Sequence, residues 1–280
     1  MKDLLTPPSV VVGIDGSRAA TRAALWAVDE AVSRDVPVRL LCAIERAERD
    51  DMADKLVAAE SAVRHATTAI EATGQLVKIE TMITQGSAIR SLMHASASAA
   101  MVCVGAVGLR HFRPERVGST AAALAISARC PVAVIRGDDN RFRRSADEII
   151  VEADGSRDSG VLLGTAVKEA LLRDATLQAI VCRQSAAGEQ APKGEGLRRA
   201  LADLDRRLAC WKRRYPRLQV ESVAAHGTLA DYLAYHRRSV GLVIVGTHDR
   251  QRLGELVGPV GSAALQEAGC SLLIVNRRHL

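Results

Sequence analysis

A chain of 280 residues that is 48% hydrophobic, 25% charged and only 2% aromatic has room for one large or two ordinary domains, with a core of Val, Leu, Ile and Ala. No apolar run approaches the ~20 residues that cross a bilayer, and the N-terminal MKDLLTPPS turns polar too soon for a secretory signal, so the cytoplasm is the expected compartment. The formal charge of +6 belongs to the second half: residues 1–139 carry 16 basic and 16 acidic side chains, residues 140–280 carry 22 and 16.

Taken in chain order, apolar runs predict strands over 9–15, 37–44, 76–84, 100–105 and 131–136. Amphipathic patterns predict helices between them, near 18–34, 53–73, 87–97 and 118–129. Runs such as VVVGI, VRLLCAI and MVCVG are nearly continuously apolar, as in parallel strands buried on both faces. In the helix over 53–73, Leu56, Val63 and Ile70 form one stripe expected to face the sheet. After the charged stretch RGDDNRFRRSAD at 136–147, a natural linker, the pattern returns with strands near 148–153, 176–182, 218–225, 241–246 and 271–276.

The return is a repeat. VVVGIDGS at 10–17 recurs as IIVEADGS at 149–156, Cys42 and Cys130 recur as Cys182 and Cys270, and Gly105 recurs as Gly246, all at offsets of 139 to 141. The expected fold is therefore α/β: two tandem open doubly wound parallel sheets, Rossmann-like, of five strands and about four helices each, over residues 1–139 and 145–280. The six cysteines lack CxxC or Cys/His spacing and are expected to be reduced and buried.

Open α/β sheets bind ligands beyond the carboxyl ends of their strands. Three features fall there in the first unit: Asp15 after VVVGI, the turn from Gly105 to Gly108, and Gly118-Ser119-Thr120 opening the helix before the last strand. Glycines admit close backbone approach, and a helix start offers free amides to phosphate. Asp15 could hold ribose hydroxyls or help fix a divalent cation, and Arg110, His111, Arg113 and Arg116 add positive charge between the glycines. Turns and helix caps account for the same residues equally well: Ser119 and Thr120 could cap one helix, and Asp15 another.

The spacing Gly105-x2-Gly108-x9-Gly118-Ser119, with VGIDGS before it and CPVAVI after it, resembles the ATP-binding motif of the universal stress protein family. The resemblance covers nearly the whole chain as two copies, an arrangement common among actinobacterial and especially mycobacterial members. It implies ATP, with Mg or Mn, held by Asp15, Gly105, Gly108, Gly118 and Ser119, and an adenine contact from the backbone near Ala43. Gly13 and Thr120 flank these positions and complete the expected set. It further implies dimerisation through the last strands, an unidentified protein partner, and a regulatory role in stress adaptation, dormancy or growth control. The loop LRHFRPER, residues 109–116, is bulkier and more basic than the glycine-rich loop common in the family.

In the second unit the motif reads Gly246-Thr-His-Asp249, then Gly258-Pro259. Asp249 adds a negative charge where phosphate would approach, and Pro259 in place of Ser119 has neither amide hydrogen nor hydroxyl. Asp154 persists in DGS, and a rival register would use Gly261-Ser262. One nucleotide site per chain, in the first unit, is the expectation. The surplus charge gathers in 196–218, where Leu197, Leu201, Leu204, Leu208, Trp211 and Tyr215 form an apolar stripe and arginines fill much of the remainder. A solvated helix face explains this; a partner scaffold built on the basic second domain is the alternative function, and few aromatics with no recognised DNA-binding module argue against nucleic acid. An enzyme finds less support: no nucleophile has a paired base, and His94 and His226 have no assigned acidic partner, so at most slow ATP hydrolysis is expected.

Overall fold

The computed structural model describes residues 7–45, 49–108, 118–136, 148–153, 159–183, 195–236, 240–247 and 250–276, so the expected linker over 137–147 lies outside the described residues. The chain divides into two compact units, Met1–Arg136 and Gly137–Leu280. Unit 1 runs β1 (Val10–Ile14), α1 (Arg18–Arg34), β2 (Val38–Ile44), α2 (Arg49–Glu71), β3 (Ile79–Gln85), α3 (Ala88–Ala95), β4 (Met101–Gly105), α4 (Ser119–Ser127) and β5 (Val132–Ile135). Its strands pair in parallel in the order β3-β2-β1-β4-β5. The chain thus winds outward from β1 through β2 to β3, then crosses back to β4, and the switch lies between β1 and β4.

Unit 2 repeats this with β6 (Glu148–Glu152), α5 (Ser159–Arg173), β7 (Leu177–Arg183), α6 (Glu195–Arg214), β8 (Val220–His226), α7 (Leu229–Tyr235), β9 (Val240–Gly246), α8 (Arg250–Val257), α9 (Pro259–Ala268) and β10 (Ser271–Val275). The parallel order is β8-β7-β6-β9-β10. Among the described residues unit 2 therefore has one helix more than unit 1, α8, placed between its fourth strand and the helix before its last.

With so few rings, close packing rests on small and branched side chains. Ala23, Ala24, Ala27 and Ala31 bring α1 down onto β1 and β4, whose Val10, Val12, Val102 and Cys103 are fully buried. Ser17 starts α1 by accepting the Ala20 amide at 3.1 Å, and Asp35 ends it in the left-handed region at φ 52°. In α2 the sheet-facing positions are Ala59, Val63, Ala66 and Ile70, whereas Leu56 is 42% exposed. The expected stripe thus holds for Val63 and Ile70 and fails at Leu56, which is exposed beside Lys55 and Ala58 where α2 borders a cavity. Cys42, Cys103, Cys130 and Cys270 are buried free thiols; Cys182 is half-buried and Cys210, on the outer face of α6, is exposed.

The repeat also preserves a feature of charge. Glu30 in α1 and Glu169 in α5 are buried carboxylates, each paired one turn on with Arg34 and Arg173. Removing one member of a buried pair strands the other charge at a cost of about 3 kcal/mol, the low end of the range because Arg34 is partly exposed. Arg34→Met is accordingly expected to lower unfolding stability in urea by about that amount, and Glu30→Gln/Arg34→Met by clearly less than the single variant.

Candidate functional site

Beyond the carboxyl ends of β1, β2 and β4, unit 1 holds a cavity of about 440 Å³, within the ~300–1,000 Å³ usual for small-molecule sites. Gly13 and Asp15 line it from β1, Ala43 from β2, Gly105 and Gly108 from β4 and the turn after it, and Gly118, Ser119 and Thr120 from the start of α4. All eight residues singled out in the sequence thus meet at one cavity. Arg110, His111, Arg113 and Arg116 lie outside the described residues.

Each glycine has a local reason. A Cβ on Gly105 would sit 2.7 Å from the backbone carbon of Ala19, so this glycine lets the first turn of α1 press against the end of β4. A Cβ on Gly108 would stand 2.6 Å from Asp15 Oδ2, inside the space that the carboxylate uses. Asp15 does not cap α1; Ser17 does, and Asp15 Oδ1 accepts the Ser17 amide at 2.9 Å, which fixes the carboxylate at the cavity rim. Gly16, at φ 85°, supplies the left-handed step that permits this turn.

Two helix starts offer backbone donors to the cavity. The Gly118 amide is used within the protein, donating to the Ala106 carbonyl at 2.8 Å. Gly118 caps α4 without a side chain, so the first-turn amides at Ser119, Thr120 and Ala121 have no intrahelical acceptor and open on the cavity. A second helix start arrives from the other strand side: Ser87, Ala88 and Ile89 at the head of α3 also line the cavity, and Ser87 makes no side-chain cap. Two helix N-termini thus converge, each equivalent to about half a positive charge. The charged lining side chains among the described residues are Asp15, Glu45 and Lys55. Ala58, Ala59 and Ala62 of α2, with Leu41 and Ile44, add an apolar wall. Burial, and secondarily the charge of Asp15, push the Cys42 thiol up, so this lining residue stays protonated and neutral.

The model of the universal stress protein family matches residues 8–136 and, a second time, residues 146–276. The chain belongs to the universal stress protein family. A universal stress protein of Mycobacterium tuberculosis strain H37Rv is 55% identical over 279 residues, 98% of each chain. Another from the same strain is 40% identical over 274 residues, 97% of each chain. The crystal structure of a universal stress protein from Archaeoglobus fulgidus shares the fold, with a TM-score of 0.72 across 96% of each chain at 15% identity.

The second copy differs at three of these places. Among the described residues a cavity of about 30 Å³, room for roughly one water, lies at the matching strand ends. The position of Gly13 is taken by Glu152, whose side chain lines that remnant. Gly258 caps α9 and Pro259 follows at its first position, which selects the register matching Ser119 to Pro259 over the rival Gly261-Ser262. Gly258 donates to Gly254 at 2.8 Å, ending α8, and a Cβ on Gly261 would lie 2.4 Å from Leu256 Cα. Here the glycines serve the contact between two helices. Asp154 and Asp249 lie outside the described residues.

The second helix start is closed as well. Thr228 caps α7 by accepting the Asp231 amide at 3.1 Å, and the Asp231 carboxylate accepts the Thr228 amide at 2.8 Å in return. In universal stress protein unit 1 the matching position is Arg90, so no carboxylate reaches back. The backbone and hydroxyl hydrogen bonds from Thr228 hold the Asp231 carboxyl below its ordinary value. A depressed carboxyl stabilises the fold above the ordinary aspartate range, and that contribution is lost as pH falls through the folded value. Asp231→Asn is therefore expected to lower the thermal midpoint at pH 7, with the difference from the parent shrinking steadily into acid.

Sequence reasoning missed the α3 start and the alanine wall. Nothing in Ser87-Ala88 or in Ala58, Ala59 and Ala62 differs from an ordinary turn and an ordinary packed helix. Gly13 facing Glu152 was the available signal, present in the alignment of VVVGI with IIVEA.

Proposed function

We propose that unit 1 binds ATP and that the chain acts as a nucleotide-dependent cytoplasmic regulator of stress adaptation, dormancy or growth. The observation that carries this reading is the convergence of two helix N-termini without side-chain caps and the close-packed Gly105 and Gly108 on one cavity with an apolar wall. In this reading the phosphates take the amides and hydroxyls of Ser119 and Thr120 beside Gly118. Charge-assisted hydrogen bonds of this kind contribute roughly 1.5–3 kcal/mol each. Gly105 and Gly108 leave room for the ribose-phosphate backbone, and Asp15 accepts from ribose hydroxyls. The base lies against Ala58, Ala59 and Ala62, with the backbone around Ala43 reading its edge, and Gly13 gives the floor of the site its depth.

A divalent cation, Mg or Mn, would arrive with the triphosphate. Among the described residues no cluster of three or more His, Cys, Asp or Glu side chains could hold a metal, and Asp15 is the carboxylate placed to reach one carried by phosphate. Six free cysteines agree with a reducing compartment, and no described helix is long and apolar enough to cross a membrane. The test is calorimetric titration of nucleotide-stripped protein with ATP, AMP and cyclic AMP, with and without Mg. The triphosphate should bind tightest, and AMP binding equal to ATP would remove the role given to the α4 amides.

A further inference from the structure

α6 occupies in unit 2 the place that α2 occupies in unit 1, between the second and third strands. Of the residues each contains, α2 has 3 basic and 5 acidic, a net of −2, and α6 has 7 basic and 3 acidic, a net of +4. One position in one fold accepts either sign, so packing does not dictate the charge of α6. Its apolar side packs on β7 and β8, where Leu204 and Leu208 are buried and Leu197, Leu201, Trp211 and Tyr215 are half-buried. Arg207 belongs to that inner side too, reaching Ser159 Oγ on α5 at 3.3 Å.

Three other arginines face outward in a regular array. Arg199, Arg206 and Arg213 are exposed and seven residues apart. That spacing keeps them on one ridge, drifting about 20° per step, with about 10.5 Å of helix rise between neighbours. Between them the ridge carries the small, exposed Ala202 and Ala209 together with the exposed Asp203 and Cys210.

We infer that this ridge docks an acidic α-helix of a partner protein, one that presents carboxylates at the same seven-residue spacing. A facing helix repeats such positions at the same rise, so each carboxylate meets one planar guanidinium fork, the group best matched to it. The alanines let the two helices approach to about 8–10 Å. A bilayer fits poorly, because an interfacial helix buries its apolar face in lipid and that face of α6 lies on the sheet. A nucleic acid fits poorly as well. The rings of Trp211 and Tyr215 stack on each other at 6.1 Å between centroids and are half-buried, not offered to bases. Asp203 and Asp205 are exposed among the cations and interrupt the positive charge along which a continuous line of phosphates would run, whereas carboxylates seven residues apart can stand in register with the arginines and between the aspartates. Asp203 also orients Arg206, at 2.9 Å. The inference uses residues of unit 2 alone and does not depend on nucleotide binding.

The test uses the full chain and a labelled helical Ala/Gln peptide carrying three glutamates seven residues apart, beside a peptide of the same composition with the glutamates permuted and a DNA duplex. The spaced peptide is expected to bind about tenfold more tightly than the permuted one, and Arg199→Gln/Arg206→Gln/Arg213→Gln to lose about tenfold. Lys212→Gln/Arg214→Gln/Arg217→Gln removes the same charge off the ridge and should lose less than about twofold. Reversing the ridge to glutamate should transfer binding to a peptide with lysines at the same spacing, which separates loss of docking from loss of folding. Equal binding of both peptides, an equal loss in the off-ridge variant, or tighter binding of the duplex than of the spaced peptide would overturn the inference.

Discussion

Gly108→Asp is expected to weaken ATP binding by unit 1 about a hundredfold while leaving the chain folded. The substitution reproduces in unit 1 the residue that unit 2 carries at Asp249. Its Cβ would meet only the exposed Asp15 carboxylate, which can give way by releasing the Ser17 amide, so the fold should lose about 1 kcal/mol. The effect on ligand is larger. A carboxylate about 5 Å from a phosphate charge repels it by roughly 3 kcal/mol at an effective dielectric of 20, about two orders of magnitude in affinity. It would also push Asp15 out of position. Gly108→Ala adds the methyl without the charge, and an intermediate affinity for it would separate displacement from repulsion. Unchanged ATP affinity in Gly108→Asp would place the phosphates elsewhere.

The second large effect concerns unit 2 and has the opposite character. An alanine inside a helix ordinarily stabilises by about 1 kcal/mol relative to glycine. At Gly261 the added Cβ would lie 2.4 Å from both the Glu255 carbonyl oxygen and Leu256 Cα, backbone atoms that cannot step aside without moving α8. Overpacking of this kind costs about 1–3 kcal/mol or more, so the net sign reverses and Gly261→Ala should lower stability in urea by about 2 kcal/mol. Nucleotide affinity should not change. A stabilised Gly261→Ala would mean that α8 does not rest on α9, and the closure of the second site would lose its main support.

These two glycines show how far the sequence could be read. The repeat, the α/β alternation and the parallel strands were all legible, because continuous apolar runs and landmarks at offsets near 140 depend on local chemistry. Strand limits agree within a few residues, the largest difference being at β3, which begins at Ile79 instead of 76 because residues 75–78 are loop, with Leu76 fully exposed instead of packed on the sheet. Residues brought to the cavity by loop ends were visible from their spacing. Those brought by helix faces were not: Ser87 and the alanines of α2 acquire their place only when α3 and α2 pack around the strand ends. Leu56 was misplaced for the same reason, since a stripe assumes that a helix lies on the sheet along its whole length. α8 was missed because RQRLGELV is short and its leucines are satisfied only by α7 and α9. The damage to the second motif was legible at Pro259, but its cause in packing was not. Glu152, Leu256 and the self-capped α7 fill, cover and neutralise what unit 1 leaves open.

The central claim is that duplication kept one fold twice and one anion site once. Its most direct test is to denature the purified chain, identify the nucleotide released and count it per chain, repeating the count after saturation with ATP. One ATP per chain in the parent, and a count well below one for Gly108→Asp at the ATP concentration that just fills the parent, is the predicted result. Two nucleotides per chain, or one that survives Gly108→Asp, would contradict it.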